Sequence, residues 1–572
     1  MPIRRLCIVG LFPLVFVLGL LGLAGCGSGL PTEQAPRLVV LVYFDQLRGD
    51  YLTRWDTLFS DGGFHRLEKE GAWFPNCHYP YADTWTAVGH TSTATGCPPR
   101  THGIISNDWY DRAAGASVYC VSSERYLRVP PAPGSANGEN ARKKAQGVSP
   151  ERLLAPTIGD ALKQATGGKG RVVALSLKDR SAVLPAGRSP DVCYWFDAGA
   201  GLFVTSTYYR DRLHPWVAEF NRSGLITSWM GKQWMRLRPE LDYEKYSGPD
   251  DAPGEGTQKF GRTFPHALGG GHTAKETQAY YEALYTSPFG NDLLLALVRR
   301  ALEAEQLGKH EQADLLCVSF SSNDPIGHCW GPDSQEVLDV TLRSDRIVQE
   351  LLACLDRQVG KGRYVLVLTA DHGVCPLPEA TRRRGMEARR INPTPLLQQA
   401  SAFLCAAFHV PAEENRWVEA IEGPWLYLNR ALLARHHLKQ TEVETALASW
   451  LRQQPGIQEV YTRRQLVAGV TAEDAIGRSV WQSFFPERSG DLRILEKPYH
   501  LLTTKLTGTN HGTPHPYDTH VPLLVYGTGV RPGVRQEAVT PLAAAVILAQ
   551  ALGIPPPDKA EAKLPADLFR DR

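Results

Sequence analysis

The sequence predicts an α/β protein built on a doubly wound, mostly parallel sheet with helices on both faces and inserted cap regions. Three observations predict it. Short apolar runs recur along the chain, and each ends in charged or imidazole-bearing residues, the pattern of buried parallel strands that deliver polar groups at their carboxyl edges. Stretches with helical apolar period lie between them. Two long segments break the alternation and read as insertions beside a site at the strand ends.

In chain order, Arg4 and Arg5 precede the apolar run "LCIVGLFPLVFVLGLLGLAG", which Cys26 follows. A charged region followed by an apolar one predicts a signal peptide over residues 1–25. The tetrapeptide "LAGC" resembles a bacterial lipobox, so Cys26 is expected to become an acylated N-terminus, followed by a linker over 26–36. An ordinary cleaved signal and a retained anchor are the alternatives. No other stretch approaches the apolar length of a membrane-spanning helix. The expected location is therefore exported, periplasmic or cell-surface, on a lipid anchor.

"LVVLVYF" from Leu38 to Phe44 runs into Asp45 as the first strand, and it opens a catalytic domain expected over 37–530. "ADTWTAVGHTSTATG", from Ala82 to Gly96, then reads as a helix crowded with hydroxyls. Pro130 to Gly147 is rich in Pro, Gly and charge and reads as an exposed loop. "RVVALSLKDR" is a second strand, running into Lys178 and Arg180, which flank Asp179. Read as strand, residues two apart face one side, so both cations would reach one site.

Residues 206–273, aromatic and broken by Pro and Gly, are the first insertion. "NDLLLALVRRALEAEQLG" and "SQEVLDVTLRSDRIVQELLACLDRQVG" have helical period. Between them "ADLLCVSFSSND" delivers Asp324, with His328 four residues on. "RYVLVLTADHG" delivers Asp371 and His372. Residues 376–497 read as a second insertion carrying strands and helices of a smaller layer, and 531–572 as a C-terminal helix and tail.

The 62 basic and 60 acidic side chains include no long single-sign run, which argues against nucleic acid and for a small partner. Nine cysteines follow Cys26 without a C-x-x-C pair, so neither a zinc knuckle nor a disulfide scaffold is predicted, and no pairing follows from the spacing. Oligomeric state is not legible.

Asp45, Asp324, His328, Asp371, His372 and His511 together are three carboxylates and three imidazoles, ligands suited to Zn²⁺ and sufficient for two three-ligand sites with open positions. Two such ions clamp the attacking and leaving oxygens of a phosphoryl displacement.

"FDQLRGDYL", "TAVGHTSTATG", "GIISNDWYD", "SLKDRSAVLPAG", "SSNDPIGHCWGP", "TADHGV" and "NHGTPHPYDTHVPLL" occur in this order. Together they resemble the alkaline phosphatase superfamily. More narrowly, they resemble its phosphate-irrepressible periplasmic alkaline phosphatases with a threonine nucleophile, of the type I phosphodiesterase/nucleotide pyrophosphatase-like kind. The resemblance implies two Zn²⁺ ions per chain, one held by Asp324, His328 and His511 and the other by Asp45, Asp371 and His372. It implies Thr86 as nucleophile, ten residues before Gly96 and three before the Gly-His pair, with Thr84 as the rival. Asn107, Lys178 and Arg180 would bind the phosphoryl oxygens.

The implied activity is hydrolysis of small phosphate monoesters through a phosphothreonine intermediate. The Lys-x-Arg pair marks the monoesterases of this branch. A phosphodiesterase or phosphonate hydrolase on the same metal core is the alternative enzyme, and an inactive binding lipoprotein the alternative of another class. "CPPR" at Cys97 lies beyond the helix and does not make a sulfatase sequence. His90, His102 and His520 are expected to buttress loops, and His515 to be a loop residue.

Overall fold

The computed structural model describes residues 35–131, 146–258, 260–271, 273–471 and 473–570. The proposed signal segment, Cys26 and most of the linker lie outside them, as do residues 132–145 of the loop read over 130–147.

Eleven strands form the main sheet. Its centre is five parallel strands: β1 (Leu38–Phe44), β2 (Val172–Ser176), β3 (Val192–Asp197), β4 (Asp314–Phe320) and β5 (Tyr364–Thr369), in spatial order β5-β1-β4-β2-β3. Every residue of β1, β4 and β5 is buried. That is why these strands read as unbroken apolar runs rather than as alternation. The strands next to this centre are antiparallel to it, β6 (Leu523–Gly527) on β5 and Leu202–Ser206 on β3.

Helices cover both faces. Tyr43 bonds Thr93 of helix α1 (Thr86–Thr95) at 2.6 Å, whereas Phe44 turns to Phe64 on the other side, as successive strand residues must. With α1 lie α2 (Asp179–Ala186) and α6 (Ala543–Leu552); the opposite layer holds α3 (Pro288–Ala304) and α5 (Gln335–Leu355). Gly89 is required in α1, because a Cβ there would stand 2.0 Å from the Asp371 carbonyl oxygen.

The described residues of 206–273 form no strand–helix–strand unit. They hold short helices and a two-stranded ribbon, Gln233–Trp234 with His266–Ala267, pinned to α5 where Trp234 Nε1 donates to Asp339 at 2.7 Å. Within 376–497 lies a four-stranded antiparallel sheet whose strands span Val418–Glu422, Trp425–Leu428, Leu492–Glu496 and Ile457–Thr462. It has a separate apolar core that includes Leu404, Trp417, Leu447 and Ile494. Gln146–Val148, at the end of the stretch read as loop, is instead an edge strand. There its backbone pairs with Ser122–Val129 whatever its side-chain composition.

Candidate active site

Four carboxyl edges converge. Asp45 follows β1 directly, Asp371 and His372 follow β5, Lys178 follows β2, and Asp324 and His328 lie four apart on helix α4 (Asn323–Trp330) beyond β4. One turn of helix puts residues four apart on one face. The loop before β6 supplies His511.

The donors form two overlapping groups, Asp324/His328/His511 and Asp45/Asp324/His372. Asp324 Oδ1 is 3.2 Å from His328 Nε2 and 3.7 Å from His511 Nε2. His372 Nε2 is 3.5 Å from Asp45 Oδ1 and 3.4 Å from Asp371 Oδ2. The structure therefore brings all six sequence-derived ligands together, and it sets Asp324 between the two groups rather than in one of them.

Each imidazole has Nδ1 tied to a backbone carbonyl: His328 to Thr509 at 2.8 Å, His511 to Thr84 at 2.7 Å, His372 to Gly373 at 2.9 Å. Those bonds select the tautomer that turns a bare Nε2 into the site. Burial pushes His372 and His511 down, which keeps the rings in the neutral form that ligates. Asp45 Oδ1 and Asp371 Oδ2 are buried without a hydrogen-bond partner. Buried anionic oxygens without donors are costly, so this oxygen and nitrogen set fits divalent cations of the zinc type.

The hydroxyls of α1 sort themselves by partner. Thr91, Thr93 and Thr95 each donate to the carbonyl four residues back, which lets so polar a helix stay buried. Ser92 pairs with His102, and Thr84 donates to the Thr513 carbonyl at 3.1 Å. Thr86 alone points to the donor cluster, with Oγ1 3.3 Å from His372 Nε2. It is the first residue of α1, where the helix dipole is positive.

Beside it, Asn107 Oδ1 accepts from the Ala87 amide at 2.9 Å. The strand reading of the two cations does not hold. β2 stops at Ser176, Lys178 is the N-cap of α2 and Arg180 lies in its first turn, so strand alternation does not relate them and each has its own partners. Lys178 Nζ bridges Asp45 Oδ2 at 2.6 Å and Asp324 Oδ2 at 2.7 Å. Arg180 instead places Nη1 3.2 Å from Tyr119 Oη, and its Nε is buried with no acceptor. A short apolar run cannot say by itself where a strand yields to a helix.

His90, His102, His520 and His515 all bond neighbouring groups: His90 with Ser319, His520 with the Pro75 carbonyl, His515 with the Glu496 carbonyl. His90 also reaches Asp371 at 3.2 Å.

Sequence reasoning missed Gln46. It has φ 66°, a left-handed conformation uncommon outside glycine. From there its N–H reaches Asp371 Oδ1 at 3.1 Å and its Nε2 reaches Asp324 Oδ1 at 2.7 Å. Its only sequence signal is adjacency to Asp45. Also missed were Tyr119 and the buried pair of Asp83 with Arg493, 410 residues apart in sequence.

The type I phosphodiesterase / nucleotide pyrophosphatase family model matches residues 39–518. Alkaline phosphatase PafA of Elizabethkingia meningoseptica is 34% identical over 528 residues, covering 91% of this chain and 93% of that protein. Alkaline phosphatase PhoV of Synechococcus elongatus is 33% identical over 506 residues, covering 88% and 87%. The crystal structure of wild-type PafA superposes with a TM-score of 0.85 at 33% identity, covering 94% of this chain and 99% of PafA. A doubly wound sheet with two overlapping Asp/His groups at its carboxyl edge, together with a family match over most of the length, makes this chain a member of the type I phosphodiesterase / nucleotide pyrophosphatase family.

Proposed function

We propose that this protein is an exported, lipid-anchored phosphatase that hydrolyses phosphate monoesters through a phosphothreonine at Thr86. The observation that carries the reading is the isolation of one hydroxyl. Every other Thr or Ser in the segment satisfies a structural partner, whereas Thr86 Oγ1 meets only His372 Nε2, at the positive end of a buried helix.

Asp324, His328 and His511 would hold one zinc ion and Asp45, Asp371 and His372 the second, with Asp324 between them. When bound, the ions supply positive charge to the phosphoryl and leaving-group oxygens. The protein's own groups do the rest. Thr86 Oγ1 forms the bond to phosphorus as the ester P–O bond breaks, and water then cleaves the phosphothreonine to free phosphate. Asn107 Nδ2 and the partnerless Nε of Arg180 hold the non-bridging oxygens through both steps. Lys178, engaged by two carboxylates, holds those ligands in place and lends charge to the same region.

A solved PafA variant is substituted at a threonine, an asparagine, a lysine and an arginine. Those positions carry the same 21- and two-residue spacings that separate Thr86 from Asn107 and Lys178 from Arg180, which supports the assignment. Export and acylation at Cys26 rest on the sequence.

The test compares rates on a phosphate monoester, a diester and a sulfate ester, and follows Thr86→Ala. The monoester is expected to be fastest, phosphate to be trapped on Thr86, and the variant to lose turnover while still binding inorganic phosphate. Faster diester turnover would favour the phosphodiesterase alternative, and phosphate trapped on Thr84 would overturn the assignment of the nucleophile.

A further inference from the structure

Arg180 is asked to do demanding work for a long side chain. Read as the group that grips the phosphoryl oxygens, its guanidinium must be held within a fraction of an ångström, yet four rotatable bonds separate it from the backbone. No carboxylate of its own helix forms a direct ion pair with it. The contact that holds it is to a different element.

Tyr119 closes the hairpin Asp108–Asp111/Ala116–Tyr119, directly across from Asp108. Its Oη donates to Asp179 Oδ1 at 2.5 Å and lies 3.2 Å from Arg180 Nη1. A carboxylate only accepts, so the phenolic proton points at Asp179 and the oxygen lone pair at the guanidinium. Burial and the neighbouring Asp179 push the phenol up, which keeps that proton in place.

With Nη1 anchored, the edge left over is Nε with Nη2, the side-on fork that matches two phosphate oxygens, and Nε is the buried donor without an acceptor. The same hairpin carries Asn107 at its open end, where the Cys120 amide bonds the Asn107 carbonyl at 2.8 Å. Asn107 in turn meets the residue after Thr86.

We propose that Tyr119 is a positioning residue that locks the Arg180 guanidinium edge onto the phosphoryl group, so that one hairpin sets both Asn107 and Arg180 against Thr86. The proposal rests on the monoesterase reading. It predicts a loss that follows phosphate charge rather than general integrity.

The experiment uses the full-length enzyme with Tyr119→Phe, which keeps the ring and removes the bridge. Monoester kcat/KM is expected to fall about tenfold, and the inhibition constant of inorganic phosphate to weaken by a similar factor. Diester hydrolysis should change less than about twofold, because the diester has one fewer charged oxygen. In an Arg180→Ala background the substitution should have no further effect. Asp179→Ala, which frees the phenolic proton to turn toward Arg180, should reproduce the phosphate defect and serves as the second variant if Tyr119→Phe melts early.

Equal losses on monoester and diester, losses that add in the Arg180→Ala background, or unchanged phosphate affinity would each overturn the role. If the parent enzyme hydrolyses no monoester, the functional reading fails separately. Calorimetric titration with phosphate then decides the Tyr119 proposal, which falls if the parent and Tyr119→Phe bind it equally.

Discussion

Asp83 and Arg493 are each fully buried, and they join the segment that leads into Thr86 to the small antiparallel sheet. Asp83 Oδ1 accepts from Arg493 Nε at 3.1 Å and Nη2 at 2.9 Å, and Oδ2 accepts from Trp425 Nε1 at 2.8 Å. Arg493 Nη2 continues to the Gly512 carbonyl beside His511. Asp83→Leu strands a fully buried guanidinium without its carboxylate partner.

Breaking one side of a buried pair costs about 3–5 kcal/mol, whereas replacing both members with apolar groups of similar volume is often close to neutral. The single variant is thus expected to lose roughly two to four powers of ten in folding equilibrium, and Asp83→Leu/Arg493→Met to recover most of that loss. Guanidinium unfolding followed by tryptophan fluorescence measures both. A double variant no more stable than the single would show that the pair does not act as a compensated unit, and the argument would fail.

Two further outcomes are expected. Gln46→Leu removes the amide that holds Asp324, and loss of such an outer partner typically weakens metal affinity by about 10–100-fold; chelator competition with zinc would refute this by returning the parent's affinity. Burial pushes Asp518 up to about 8, whereas the unfolded chain titrates near 4. Between these values the folded state holds a proton that the unfolded state has released, so this group's contribution to stability is lost as pH rises through the window. Asp518→Asn should therefore gain melting temperature relative to the parent between about pH 5 and pH 9, and parallel curves would contradict it.

The sequence by itself determined the sheet and the residue types at its edge. Strands such as Leu38–Phe44 are buried on both faces, so their burial is written as an unbroken apolar run, and Asp45 or Asp371–His372 follow at once. Among the many hydroxyls of Ala82–Gly96 it was the family resemblance, not the local pattern, that singled out Thr86, the first residue of the helix that Gly96, at φ 75°, ends. Tertiary structure alone decided which donors share a centre, that Lys178 bridges Asp45 and Asp324, that Arg180 leans on Tyr119, and that Gln46 reaches two carboxylates. The physical reason is range. Periodicity records a residue's own burial along one element, whereas a contact of about 3 Å between residues some sixty to four hundred positions apart depends on strand register, on loop shape and on where a strand gives way to a helix, none of which leaves a local pattern.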